Sequence, residues 1–169
     1  MEQTRQCTPA ELGQVMDKYG TMVYRLAYSQ LRNRSDAEDI SQEVFLRYYR
    51  KRPAFESEEH RRAWLLRVTI NRAKSWVTSA WFRHTVSLED CHAFPEPYSQ
   101  CLDEAMGALP AKDRILLHLF YYEELSVRDI AQLTGKKEST LRTQLTRARR
   151  KLKSILKGED YESCISQNE

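Results

Sequence analysis

The stretch from Leu125 to Leu156, LSVRDIAQLTGKKESTLRTQLTRARRKLKSIL, constrains this chain most, because its apolar spacing, its breaker and its charge all bear on one local architecture. Ser126 is placed to cap a helix by accepting from an orphan backbone N–H, and Asp129 completes a capping-box pattern that also suits the helix dipole. Val127, Ile130, Ala131 and Leu133 supply that helix with an apolar face. Gly135 ends it where a left-handed residue is wanted. Leu141, Leu145, Ala148, Leu152 and Leu156 then recur at intervals of four, three, four and four residues, one stripe along a second helix. The two faces are able to pack together as a helix-turn-helix.

Off the stripe lie Arg142, Thr143, Gln144, Thr146, Arg147, Arg149 and Arg150, so the second helix is expected to offer forked cations, hydroxyls and an amide, the groups that read base edges and phosphates. Between Val127 and Lys157 ten Lys or Arg stand against two acidic residues, a net of +8, whereas the whole chain carries +3. A basic helical face alone is more often merely solvated. Joined to a capped first helix and a glycine turn in the right order, it indicates DNA binding.

At 169 residues the chain has room for one ordinary domain or two small helical ones, and 41% hydrophobic with 30% charged residues is a globular composition. No apolar run approaches the roughly 20 residues that span a bilayer, and MEQTRQCTPAEL lacks a signal peptide's apolar core, so a cytoplasmic location without membrane insertion is expected. Cys7, Cys91, Cys101 and Cys164 form no CxxC pair and are expected to be reduced thiols without a metal. Nor does the sequence contain a phosphate-cradling glycine loop, an HExxH or a GxSxG element, so neither an enzyme nor a cofactor is indicated.

Upstream, residues 10–31 carry an apolar band of Leu12, Val15, Met16, Tyr19, Met22, Val23, Leu26, Ala27 and Leu31. Asn33 and Arg34 break the pattern, and Ser35 to Glu38 reads as a second capping box opening a helix to about Tyr49, with Ala37, Ile40, Val44, Phe45 and Tyr48 inward. Asp36, Glu38, Asp39, Gln42 and Glu43 occupy its other surface. The helix dipole accounts for Asp36 and Glu38 but not for Gln42 and Glu43, which leaves a protein-docking face open.

Pro53 ends that helix, and AFESEE reads as a loop in which Phe55 is the apolar residue. From His60 the chain is helical again, with Trp64, Leu65, Val68, Ala73, Trp76 and Val77 at core spacing and Arg61, Arg62, Arg67, Arg72 and Lys74 on or beside the outer face. Interleaved cations and aromatics suit single-stranded nucleic acid, and they equally suit tryptophans in a core beneath a solvated basic face. From His84 to Glu104 there are five acidic residues, no Lys or Arg, and two prolines, which reads as a linker whose end starts a helix. Pro110 stands at a first-turn position of the next helix, Lys112 to Glu124, whose Ile115, Leu116, Leu119, Phe120 and Tyr122 can cover the helix-turn-helix. The fold class expected is all-α: two small helical domains joined by a flexible acidic linker, with boundaries at 10–83, 84–101 and 102–157 and a polar tail over 158–169. A linker of this length reaches very roughly 25 Å as a coil, so two separated DNA elements are within reach.

With both halves assembled, the chain resembles an extracytoplasmic-function sigma factor of the sigma-70 family, whose members direct bacterial RNA polymerase to promoters. The resemblance rests on YRLAYSQLRNRSDAEDISQEVFLRYY, then RAWLLRVTINRAK, then LPAKDRILLHLFYYEELSVRDIAQLTGKKESTLRTQLTRARRKL, in fixed order with the acidic linker before the third. It implies that Asp36, Asp39, Gln42 and Glu43 dock on the clamp helices of the largest subunit of core RNA polymerase. It implies further that Phe55, its loop and Asn71 capture bases of the melted minus-ten strand, with Arg67, Arg72 and Lys74 at its backbone and Trp64 as scaffold. Arg142, Thr143, Thr146 and Arg147 would face the duplex minus-thirty-five element, and Arg149 and Arg150 its phosphates. Such a subunit catalyses nothing and needs no cofactor, and the resemblance implies an anti-sigma factor among its partners. Lys137 stands where relatives often have serine or proline, and Glu124 where many have glycine; a left-handed Glu124 would carry about 1 kcal/mol of strain. The rival function is a stand-alone helix-turn-helix regulator acting on duplex DNA.

Overall fold

The computed structural model describes residues 7–80 and 100–158; positions 81–99, which hold most of the expected linker, and the tail beyond Gly158 lie outside them. The described residues form seven helices and no strand. The chain divides into two compact units, Met1–Asp90 and Cys91–Glu169.

The first unit holds α1 (Pro9–Leu31), α2 (Arg34–Lys51) and α3 (Glu58–Ala80). Thr8 caps α1 in a full capping box, its hydroxyl accepting from Glu11 N–H at 3.2 Å while the Glu11 carboxylate accepts from Thr8 N–H at 3.0 Å. Val15, Tyr19, Val23, Leu26 and Ala27 from α1 meet Ala37, Ile40, Val44, Phe45 and Tyr48 from α2 and Leu65, Leu66 and Ala73 from α3 in one buried core. Each large aliphatic among them contributes about 1.5–3 kcal/mol by leaving water. Thr69 is also fully buried, tolerated because its hydroxyl donates to the Leu65 carbonyl at 2.7 Å.

Several helix limits differ from those expected. Asn33, not Ser35, caps α2: its extended backbone and its Oδ1, accepting from Asp36 N–H at 2.9 Å, start the helix at Arg34. Arg32 before it is left-handed at φ 56°, so the α1–α2 turn needs no glycine. Ser57 Oγ accepts from His60 N–H at 3.1 Å, and α3 accordingly begins at Glu58 rather than His60. Met16 and Val77, both assigned to apolar bands, are 43% and 49% exposed, because each sits at the edge of its stripe where no facing helix among the described residues covers it.

The second unit holds α4 (Gln100–Gly107), α5 (Ala111–Tyr121), α6 (Val127–Thr134) and α7 (Glu138–Gly158). Pro110 is the N-cap of α5 rather than a residue of its first turn, and α5 stops at Tyr121 instead of continuing to Glu124. The stop is made by Glu124, left-handed at φ 52°, with Leu125 N–H donating to the Leu119 carbonyl at 3.1 Å. Ser126 caps α6 in a complete capping box with Asp129, and Gly135 closes it at φ 72°. Ile130 and Leu133 of α6 and Leu141, Leu145 and Ala148 of α7 are buried with Leu116, Leu117 and Leu119 of α5 and Ala105, Met106 and Leu109 before it. Leu152 and Leu156 prolong the α7 stripe at intermediate exposure. Cys101 is disulfide-bonded, which overturns the expectation of reduced thiols at that position, whereas Cys7 is a free thiol.

Candidate functional site

Two surfaces carry the residues singled out by sequence. In the first unit, the inward stripe of α2 leaves Glu38, Asp39 and Gln42 exposed and Asp36 and Glu43 half-exposed. Leu46, one turn beyond Gln42, is 45% exposed, so the acidic and amide-bearing face carries an apolar residue that sequence reasoning did not include. Glu43 is engaged: its carboxylate accepts a charged hydrogen bond from the Arg72 guanidinium of α3. The structure thus ties one residue expected on a protein partner to another expected on DNA.

On α3, Arg67, Asn71 and Lys74 are exposed, and their four- and three-residue spacing puts them on one face. Phe55 lies at the entrance to α3, half-buried. Its ring packs nearly parallel to Tyr48 at 6.0 Å between centroids and edge-on to Trp64 at 6.0 Å and His60 at 5.4 Å, while the Arg61 guanidinium lies 5.5 Å from its centre. Trp64, itself edge-on to Tyr48, is part of this cluster. The loop is pinned further by Glu58, which accepts from Tyr19 Oη at 2.7 Å and Lys18 Nζ at 3.0 Å and pairs with Arg61. Hydrogen bonds from Tyr19 and then Lys18 hold the Glu58 carboxyl below its ordinary range. Burial raises the Tyr48 phenol above its ordinary value. Glu58, Tyr19 and Lys18 carry no sequence signal for this role, being some forty positions apart.

In the second unit, the buried stripe of α7 fixes what faces outward. At about 100° per residue, Thr143, Thr146, Arg147 and Arg150 lie opposite the stripe, with Arg142 beside them. All five are exposed. The threonine hydroxyls donate back along the helix, Thr143 to the Ser139 carbonyl at 3.1 Å and Thr146 to the Arg142 carbonyl at 3.0 Å, which leaves their oxygens as acceptors and their methyls outward. Arg142 pairs with Glu138 at 3.3 Å, an exposed i,i+4 contact that competes weakly with a phosphate. Arg149 stands on the flank, its guanidinium 5.2 Å from the Phe120 ring centre and 5.4 Å from that of Tyr121. Gln144 is not free for a ligand, as the sequence had suggested; its amide donates to the Lys112 carbonyl at 3.1 Å and to Asp113 Oδ1 at 3.2 Å.

Sequence-family models agree with this division. One described as Sigma-70 region 2 matches residues 15–83, and one described as Sigma-70, region 4 matches residues 99–152, so between them they take in most of the chain. Among similar proteins, the ECF RNA polymerase sigma factor SigE of Mycolicibacterium smegmatis is 28% identical over 172 residues, covering 90% of this chain and 64% of that protein. The RNA polymerase sigma factor SigV of Bacillus subtilis is 26% identical over 161 residues, covering 92% and 97%. The chain belongs to the ECF group of the sigma-70 family. It spans 64% of the length of the first of these relatives and nearly all of the second. The sigma-70 fold is seen again in the sigma factor RpoE of Bartonella quintana, solved in complex with the anti-sigma factor NepR, at a TM-score of 0.73 and 23% identity over 87% of this chain and 97% of that one. Among the described residues of this ECF factor, no helix is long and apolar enough to cross a membrane.

Proposed function

We propose that this chain binds core bacterial RNA polymerase and directs promoter-specific initiation, acting as a binding subunit without catalysis of its own and within the cytoplasm. The observation that carries this reading is the match of sigma-70 region 2 and region 4, in that order, to the two helical units. Residues 10–83 form the polymerase-docking and minus-ten module, 100–157 the minus-thirty-five module, since α4 already begins at Gln100 rather than at 102, and 84–99 the tether. Asp36, Asp39, Gln42 and Glu43 meet the polymerase clamp helices, and exposed Leu46 gives that contact an apolar centre. Phe55 and Asn71 take bases of the opened strand while Arg67, Arg72 and Lys74 follow its phosphates. Stacking at about 1–3 kcal/mol per base offsets the few kcal/mol of unstacking, so binding itself drives melting. Thr143, Thr146, Arg147 and Arg142 read the upstream duplex, and Arg150 and Arg149 support them at phosphates. An anti-sigma factor such as the one bound by the Bartonella relative is a further partner.

The test is stoichiometric addition to core polymerase. Promoter-specific transcription from core plus this chain is the expected result; failure to bind core would sink the proposal and leave the stand-alone regulator. The double variant D39R/Q42A should lose core assembly while keeping duplex affinity, and normal assembly by it would remove the docking assignment.

A further inference from the structure

The second unit contains a charged side chain that no reading so far has used. Asp113, in the first turn of α5, is 3% exposed, yet both of its oxygens reach across to α7: Oδ1 accepts from Gln144 Nε2 at 3.2 Å and Oδ2 from Lys151 Nζ at 3.3 Å. Gln144 places its second amide hydrogen on the Lys112 carbonyl, so both its donors end on α5. Gln144 and Lys151 are seven residues apart, two turns and about 10.5 Å along the axis, on one flank of α7. A single buried carboxylate therefore grips the helix at two heights.

Apolar packing along the stripe of Leu141, Leu145 and Ala148 resists separation of α7 from the core but is tolerant of rotation, since neighbouring methyl groups can exchange contacts. Hydrogen bonds with defined acceptors are not tolerant of it. The groove beside the clamp, about 510 Å³, is lined by Lys112, Asp113, Ser139, Thr143, Gln144 and Arg147 among others, so the gripped flank adjoins the residues that face outward. A small turn of α7 about its axis would carry Thr143 and Arg147 away from a base edge and toward the backbone, or the reverse. Asp113 also brings a negative charge beside a strongly basic face, which lowers the attraction of that face for phosphate in general.

The geometry points to Asp113 as a positioning residue that sets the rotation of the recognition helix, so that upstream-element specificity depends on a side chain that touches no DNA. This rests on the promoter-reading function proposed above. Gln144 and Lys151 are its two handles. Bidentate base contacts discriminate because donor and acceptor directions must coincide, and a helix allowed to rotate loses that coincidence without losing its charge.

The experiment uses the full chain assembled with bacterial core polymerase. Duplex DNA randomised over an upstream block is selected, sequenced and compared among wild type, D113N, D113E and Q144A, with affinity for a fixed scrambled duplex and the melting temperature measured alongside. Absence of any upstream motif with wild type would refute the function, not the clamp. Given a wild-type motif, D113N and Q144A should flatten it, with base discrimination falling about five- to tenfold at one or more positions. Scrambled-duplex affinity should stay level or rise, and D113E, which keeps both acceptor oxygens, should hold the motif. A D113N motif as sharp as wild type would overturn the inference. So would a parallel fall in specific and scrambled affinity with a lowered melting temperature, the signature of a purely structural role; Q144A, at a half-exposed position, decides the matter should D113N unfold.

Discussion

Replacing Glu124 by glycine should stabilise the second unit. Glu124 closes α5 at φ 52°, in the left-handed region where an L-residue's Cβ crowds the following carbonyl, at a cost of about 1–2 kcal/mol. The side chain is exposed, so removing it surrenders little buried surface. Glycine's greater freedom in the unfolded chain takes back about 0.5–1 kcal/mol, leaving a net gain of about 0–1.5 kcal/mol, centred on about 0.75 kcal/mol. For a unit of this size 1 kcal/mol corresponds to about 4–8 °C, so at the centre of that range E124G should raise the melting temperature of the second unit by about 3–6 °C. Scanning calorimetry of the full chain, resolving two transitions, is the assay. The matched control is G135A: Gly135 is left-handed at φ 72° with open space where a Cβ would stand, so alanine there adds backbone strain without a clash and should lower the same transition. If E124G melts at or below the wild-type temperature, the strain argument is wrong.

On the recognition helix, R147A should weaken upstream-duplex binding by about 1–3 kcal/mol and relax its sequence preference, as measured by competition titration. R149A should change that affinity less while lowering the second unit's melting temperature, because its guanidinium lies over Phe120 and Tyr121; equal losses of DNA affinity would contradict this. In the first unit, hydrogen bonding by Tyr19 and Lys18 depresses the Glu58 pKa, so the stability this carboxylate adds is present above its ordinary value of 4.5 and is lost as pH falls through the depressed folded value. The melting-temperature gap between wild type and E58Q should therefore be open at pH 7 and close on acidification. Because the Glu58 side chain is 47% exposed, the gap is small, and raising the salt should narrow it.

What the sequence revealed follows the range over which its signals act. The capping box at Ser126 and Asp129, the turn at Gly135 and the buried run of Ala37, Ile40, Val44, Phe45 and Tyr48 are fixed by spacings within a few residues, and all stand in the structure as read. Asn33 reads in sequence as a breaker, yet it caps α2, because the same short polar side chain that interrupts a helix interior can begin the next one. The Asp113 grip on Gln144 and Lys151, the Glu43–Arg72 pair and the Glu58 network join residues some thirty to forty positions apart. No periodicity encodes those, and they become visible only when the helices are packed. Gln144 shows the limit most clearly: by position it belongs with the outward residues, yet a carboxylate on another helix claims it.

Each unit buries its own core, and this has a consequence for how the protein is made. The first unit precedes residues 91–169 in the chain, and translation at about 5–20 residues per second needs about 4–16 s to add them. Small helical units built from local contacts fold within microseconds to milliseconds, so the first unit can complete its core once it clears the ribosome. For several seconds a nascent chain then displays the acidic face of α2 and the basic face of α3 without the second unit. On the function proposed above, chains interrupted in that interval would keep the proposed docking face while lacking the proposed promoter reader, and would compete with chains carrying both units for the same polymerase.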